Sequence, residues 1–493
     1  VSRDFLALLG GLLLPLSFAP YDYPALAVVA LILLFAAWQG ATPGRAFLRG
    51  YLFGAGLFGL GVSWVYISMH NYGGASVVEA GGLTALFSLF WALYPGCAGW
   101  LARRLGGGPV LQAVAVFPAV WMFTEWLRGW FPSGFPWLQI GYSQLDTPLG
   151  GLAPLFGSYG AGWGVALVAG LGLALFQLKG VQRRWLALGL ILLLGVCGAL
   201  DRVRWTEPAG EPFKAALMQG NIPQDLKWQP EQQRATLALY EDMTRRHWDA
   251  RLIVWPETSV PAFYQQVAGT YLANLAQEAQ SHGADILLGM PYYDAGRDRY
   301  YNALIGLGKA PGFYFKRHLV PFGEYVPLRP VFGWVLDILQ IPLSDFGSGG
   351  TDQKPLAAAG YSLAASICYE DVFGQESLLH LPEAAYLVNV TNDAWFGDSA
   401  APYQHAQMAR MRSLETGRWM LRATNSGVTA IITDRGKFAA TAPLFERAEV
   451  AGMVTPMRGR TPYVGWGDVP VVVGLVLVLG GMAWRGWRGR AGA

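Results

Sequence analysis

Three side chains of complementary chemistry stand at the ends of three apolar, strand-like runs. Glu257 follows Leu252-Ile253-Val254-Trp255-Pro256, Lys316 follows Phe313-Tyr314-Phe315, and Cys368 follows Ala364-Ala365-Ser366-Ile367. A carboxylate, an ammonium and a thiol make an acyl-transfer set. The thiol attacks a carbonyl and the carboxylate takes its proton. The ammonium, with the backbone N–H after Cys368, steadies the tetrahedral oxyanion. The polar segment after Cys368 reads as a helix start, whose N–H groups favour a thiolate. Each residue also has an ordinary reading. A free cysteine is often a small buried hydrophobe, Glu257 could cap a turn, and Lys316-Arg317-His318 could be a solvated basic run. Strand ends gather active sites in layered α/β domains, so the joint placement favours chemistry, but spacing alone leaves both readings open.

The elements that must position these residues divide into an apolar and a polar part. The chain has 493 residues, is 53% hydrophobic and only 14% charged, and has a mean hydropathy of +0.29. That composition points to an integral membrane protein. A net charge of +3 with no basic stripe argues against a nucleic-acid partner. Cys97 and Cys197 sit in apolar runs and Cys368 in the polar part. The three form no disulfide framework and nothing has metal-ligand spacing, so neither a metal nor an organic cofactor is expected.

Apolar segments lie near 5–19, 23–40, 50–69, 79–101, 109–127, 158–178, 185–200 and 467–484. Most approach the ~20 residues a bilayer core requires. The first resembles a signal peptide in length, but it lacks a clear cleavage site and a second apolar run follows at once, so it reads as a span. With a cytoplasmic N-terminus, Arg3, Arg45, Arg49, Arg103, Arg104, Lys179, Arg183, Arg184, Arg485, Arg488 and Arg490 fall inside, and only Arg128, Arg202 and Arg204 fall in short outside loops. The expectation is therefore eight transmembrane helices with both termini cytoplasmic. Seven span residues 1–205, the eighth spans 465–486, and 487–493 is a basic cytoplasmic tail. The polar segment 212–456 then lies outside the cytoplasm. Its strand-like runs (213–218, 252–255, 286–290, 303–307, 313–315, 363–367, 386–390, 428–432) alternate with helical patterns at 230–247, 268–281, 370–379 and 402–417, which predicts one α/β domain.

Longer motifs surround the three residues. Trp255-Pro256-Glu257, the run from Lys316 through Pro321-Phe322-Gly323-Glu324 to Pro327, and Cys368-Tyr369-Glu370 resemble the catalytic segments of the nitrilase superfamily. With Met218-Gln219-Gly220-Asn221 and Asn389-Val390-Thr391-Asn392-Asp393-Ala394-Trp395-Phe396-Gly397, and with Phe18-Ala19-Pro20-Tyr21 and Gly134-Phe135-Pro136-Trp137 in the apolar half, they resemble the apolipoprotein N-acyltransferase branch. The resemblance implies an αββα sandwich and a triad of Glu257 as general base, Lys316 as oxyanion stabiliser and Cys368 as nucleophile. It further implies an accessory carboxylate at Glu324, support from Tyr369 and Glu370, and Trp228 near the substrate. The implied reaction moves an acyl chain from a phospholipid, typically phosphatidylethanolamine, through a Cys368 thioester to the N-terminal amine of a diacylglyceryl-cysteine apolipoprotein. It also implies a bacterial inner-membrane location with the domain in the periplasm, and a monomer is the working expectation.

Glu324 could instead be an ordinary turn carboxylate, and Glu370 could simply favour a first helical turn. The apolar arm 331–341, with Trp334, reads either as an interfacial segment that admits lipid substrates or as domain core. The 391–402 loop with Trp395 and Phe396 reads as a second lid. His405 reads as a satisfied helix histidine, Arg410, Arg412 and Arg418 as a solvated or phosphate-facing face, and Glu125 with Arg128 as a pair across one helical turn that could meet lipid head groups. Release of the acyl group to water, as in an amidase, uses the same triad and stays open. A non-catalytic scaffold is disfavoured by the joint presence of the three residues.

Overall fold

The computed structural model describes residues 2–338 and 345–491. The chain forms two compact units. One comprises the chain through Tyr66, Val78–Arg204 and the chain from Gly465; the other comprises Ile67–Val77 and Trp205–Val464.

The first unit is helical. Among the described residues, five helices are long and apolar enough to cross a membrane: Val77–Leu105, Pro109–Arg128, Pro148–Gln177, Gly180–Leu200 and Val469–Arg488. They coincide with five of the eight expected spans. A sixth qualifies only if the bent pair Pro43–Gly61 and Val65–Tyr72 counts as one span, and Ala25–Trp38 is shorter. The first expected span is an α-helix only over Arg3–Leu13; the chain then tightens into a 3-10 turn at Leu14–Ser17 with Pro15 inside it, since proline cannot donate to the helical ladder. The long helices leave large apolar side chains exposed, among them Val78, Phe176, Trp185 and Ile191. An unpartnered apolar surface of that kind is what a lipid environment covers. Small residues let the helices approach: a Cβ on Gly50 would lie 2.0 Å from the Pro95 carbonyl oxygen. Glu125 and Arg128 do pair across a helical turn, at 3.7 Å, but both are buried. Arg128 also donates to the Trp137 carbonyl, so the pair ties its own loop rather than facing head groups.

Among its described residues the second unit carries fourteen strands. β1 (Thr206–Pro208) pairs antiparallel with β14 (Met457–Gly459). One six-stranded sheet runs in the order β13-β2-β3-β4-β5-β6, from β2 (Phe213–Gln219), β3 (Leu252–Val254), β4 (Asp285–Asp294), β5 (Arg299–Leu307), β6 (Gly312–Phe315) and β13 (Ala448–Val454). The other runs β12-β11-β10-β9-β8-β7, from β7 (Leu356–Ala358), β8 (Tyr361–Ile367), β9 (Tyr386–Thr391), β10 (Met420–Thr424), β11 (Ala430–Ile432) and β12 (Phe438–Thr441). Strands β2, β3 and β4 are parallel, as are β8, β9 and β10.

Both faces of each sheet are covered, which makes the strands near-continuous apolar runs. Ala215, Leu217, Val254 and Leu287 meet Leu363, Ile367, Val388 and Leu421 between the sheets. The alternate residues Ala216, Met218, Ile253 and Ile286 turn outward onto Tyr240, Met243, Leu272 and Leu275 of the helical layer. Leu387, Met420 and Ile432 pack on Ala406 and Ala409 of the helix Ala401–Thr416. The layers are therefore αββα.

Two local expectations fail. No helix forms over 370–379; 3-10 turns occupy Cys368–Val372 and Glu376–Leu378. Residues 369–372 are all buried, and a one-sided helix cannot bury four consecutive side chains. The arginine face is neither solvated nor phosphate-facing. Arg412 and Arg418 are fully buried. Arg412 makes a two-pronged contact with Glu415, and Arg418 donates to the carbonyls of Ala384, Pro382 and Gly459. Arg410 reaches the Gly436 carbonyl and lies over Phe438.

Candidate active site

Lys316 and Cys368 follow β6 and β8 directly, and Glu257 stands just past β3, after Trp255 and Pro256. Hydrophobic pairing holds each strand to its last residue, and the polar side chain leaves the sheet where the ladder stops. The turns are tight. Cys368 itself adopts φ +52°, and Thr258, next to Glu257, adopts +49°. Left-handed backbone costs a non-glycine residue about 1–3 kcal/mol and persists only where surrounding structure enforces it. Gly289 on β4 makes room for one of these turns: a Cβ there would lie 2.7 Å from Glu257 Cα and from Thr258 N.

Lys316 is buried, with its Nζ 2.8 Å from Glu324 Oε1 and 3.8 Å from Glu257 Oε1. Burial pushes its ammonium down in pKa, but Glu324 and Glu257 push harder and hold it well above the usual lysine range. It is a fixed cation. Glu324 Oε2 accepts from Val320 N at 2.8 Å, so this carboxylate also pins its own turn. Asn302 on β5 bridges the pair, donating to Glu257 Oε1 at 2.6 Å and to Glu324 Oε1 at 3.3 Å.

Cys368 is partly exposed. Desolvation of the sulfur and the Glu257 charge push the thiol up, while Lys316 and a hydrogen bond from Thr391 pull it down; the net direction is up. That direction favours the protonated thiol over the thiolate. The Cys368 carbonyl accepts from Asn389 Nδ2 at 3.3 Å.

Glu370 is buried between the Lys316 and Cys368 turns. Its carboxylate accepts from the backbone N–H groups of Arg317 (2.6 Å), His318 (3.1 Å) and Ile367 (2.7 Å) and from the Tyr314 hydroxyl. Burial raises its pKa to about 7 against the pull of those amides and of Lys316. It staples the Lys316 turn to the Cys368 turn. Tyr369 packs edge-on against Phe373, whose ring stacks on His318.

The expected substrate-side residues are dispersed. Trp228 and Trp334 are about half exposed, at 40% and 48%. Residues 339–341 of the apolar arm lie outside the described residues. Trp395 and Phe396 form a 3-10 turn, Asp393–Phe396, in which the Trp395 carbonyl accepts from Ser68 Oγ at 2.8 Å and its ring meets Tyr72.

Sequence reasoning missed several neighbours. Lys227, in the turn before Trp228, is buried and donates to the Glu257 carbonyl at 3.2 Å. Asn302 gave no signal beyond a polar residue inside an apolar strand. Behind the Cys368 turn, His405 lies between Asp371 (2.8 Å) and Asp393 (2.9 Å), and Arg422 on β10 joins both carboxylates. His405 is satisfied, as expected, but by charge: burial and Arg422 push its pKa down, Asp371 and Asp393 push it up, and it settles at about 9.

Residues 214–457 match the family described as Carbon-nitrogen hydrolase, and residues 10–171 match the Apolipoprotein N-acyltransferase N-terminal domain. An Apolipoprotein N-acyltransferase of Methylococcus capsulatus is 60% identical over 95% of this chain and 93% of its own. The protein of that name in Nitrosomonas europaea is 45% identical over 94% of each. Among solved structures, the C. elegans NitFhit protein is similar at 14% identity and a TM-score of 0.40, covering 54% of this chain and 65% of that one. The chain belongs to the apolipoprotein N-acyltransferase family, an acyltransferase family of the carbon–nitrogen hydrolase superfamily.

Proposed function

We propose that this protein transfers an acyl chain from a phospholipid to the N-terminal amine of a diacylglyceryl-cysteine apolipoprotein by a two-step exchange on Cys368. The observation that carries the reading is the Glu257–Lys316–Glu324 cluster beside a cysteine held at φ +52°. In the first half, Glu257 takes the Sγ proton as sulfur attacks the ester carbonyl. Lys316, with the N–H of Tyr369 in the turn after Cys368, faces the developing oxyanion. The intermediate collapses to a thioester, and the leaving alkoxide takes the proton from Glu257. In the second half the lipoprotein amine attacks the thioester and gives its proton to Glu257, and the Cys368 thiol is restored. Glu324 fixes Lys316, Glu370 and Tyr369 hold the two turns, and Trp228, Trp334, Trp395 and Phe396 contact the lipid substrates.

Basic-residue placement supports eight spans with both termini in the cytoplasm of an inner membrane, residues 212–456 in the periplasm, and a monomeric chain. The test is intact-protein mass spectrometry after incubation with phosphatidylethanolamine alone. An acyl mass on Cys368 that a diacylglyceryl peptide with a free amine discharges is the expected result. Equally fast discharge by water would make the protein a hydrolase, and no adduct on a free thiol would sink the mechanism.

A further inference from the structure

We propose that Asn389 is a positioning residue of the acyl-transfer site: by donating to the Cys368 carbonyl it aims the N–H of Tyr369, the other end of the same peptide unit, at the oxyanion. The inference rests on the role proposed above for that N–H. A trans peptide is planar, and its C=O and N–H point in opposite directions. A partner on the carbonyl oxygen therefore fixes the direction of the N–H. Cys368 needs such a partner, because its left-handed φ of +52° persists only where surrounding groups enforce it. Asn389 Nδ2 is that partner, at 3.3 Å. The bond is long in the resting site, as catalytic hydrogen bonds often are before the transition state draws them in.

Asn389 is itself fixed. It lies on β9 in register with Ser366 on β8 and Arg422 on β10. Its neighbours on that face of the sheet, Ala364, Leu387 and Met420, are apolar, and it is fully buried. An amide in that place is costly unless its hydrogen bonds are made. They are made on both ends: Arg422 Nη1 donates to Oδ1 at 2.6 Å, and Nδ2 donates to Ser366 Oγ at 3.0 Å as well as to the Cys368 carbonyl. A guanidinium only donates, so it fixes which end of the amide is oxygen. Arg422 is held in turn by Asp371 Oδ2 at 2.8 Å and Asp393 Oδ2 at 3.1 Å. The charged set behind the Cys368 turn thus ends on the Cys368–Tyr369 peptide unit. Hydrogen bonds in such a chain polarise one another. Arg422 makes the Asn389 amide a stronger donor, and donation to the Cys368 carbonyl makes the Tyr369 N–H a stronger one. As the sulfur electron pair forms the C–S bond, the carbonyl π pair moves onto oxygen, and negative charge develops where that N–H is aimed.

The experiment compares two rates at Cys368 in the full-length, detergent-solubilised protein: single-turnover acylation by saturating phosphatidylethanolamine, and alkylation by iodoacetamide. Peptide mass spectrometry reads both and separates this thiol from Cys97 and Cys197. Both reactions need the Cys368 proton removed, but displacement of iodide passes through no oxyanion. The ratio of acylation to alkylation therefore cancels any change in how readily the thiol ionises. Asn389→Leu, an apolar replacement of similar size, is expected to lower that ratio about tenfold, less than the loss of about a hundredfold or more when an oxyanion donor is removed outright. Asn389→Asp keeps an acceptor for Arg422 but no longer donates, and it is expected to lower the ratio at least as far. A ratio within twofold of the parent's in either variant that folds overturns the role of Asn389 and leaves the proposed acyl transfer in place. A parent protein that iodoacetamide alkylates at Cys368 but phosphatidylethanolamine never acylates would refute the acyl-transfer reading itself, and the Asn389 role with it.

Discussion

Glu324 and Glu257 share one lysine but not one task. Glu324 holds Lys316 at 2.8 Å and also accepts from Val320 N, whereas Glu257, the base in the proposed mechanism, stands 3.8 Å from the same nitrogen. Replacing Glu324 by Gln removes the charge that fixes a buried ammonium. Breaking such a pair costs about 3 kcal/mol or more, so the acyl-transfer rate is expected to fall about a hundredfold. A rate within twofold of the parent's would show that Lys316 needs no second carboxylate. The Trp255-Pro256-Glu257, Lys316 and Cys368-Tyr369-Glu370 motifs were legible in the sequence because each sits where a strand pattern stops. Lys227 was not, because nothing in its local sequence tells a buried lysine from a solvated one; its neighbours come from residues about thirty positions away.

At the scale of elements, the turn after β8 is supported from behind by the helix Ala401–Thr416 and by β9 and β10. His405, Asp371, Asp393 and Arg422 form a buried cluster that is neutral only when the histidine is protonated. The sign follows from that. The folded pKa of His405, about 9, lies above the ordinary value of 6.5. The stabilisation is therefore complete below about pH 6.5 and is lost as pH rises through about 9. The thermal midpoint of the parent is expected to drop between neutral pH and about pH 10 by at least about 2–4 °C more than that of His405→Gln, which corresponds to about 1 kcal/mol. Equal drops in the two proteins would show that the histidine is not the titrating group. Strand β10 escaped detection in the sequence for the same reason: Arg422 and Thr424 give it a polar look, and their partners lie on other elements. The expected helix after Cys368 failed because Glu370 and Asp371 both turn inward, onto the amides of Arg317 and His318 and onto Arg422.

For the whole molecule, the apolar helices and the αββα unit divide the chain between lipid and water chemistry. Among the described residues five helices meet the length and hydropathy of a span, and the early ones are short or bent. A reporter active only in the cytoplasm, fused after Gly210, is expected to be silent, because the basic residues cluster on the other side of the spans. An active reporter would invert the topology and remove the periplasmic placement of the site.

Hydrophobic periodicity and strand-end chemistry are local properties. The sequence by itself therefore determined the division into an apolar helical part and an α/β part and most strand positions, while the family resemblance, rather than spacing, singled out Glu257, Lys316 and Cys368 as candidates. Burial and charge pairing are not local. Only the tertiary structure decided that Glu370 staples two turns, that Arg412 and Arg418 are interior, that Cys368 sits on left-handed backbone, and that Lys227 and Asn302 reach Glu257. The energy of a buried charge is set by groups that the chain brings together from distant positions, and no local pattern encodes which ones they are.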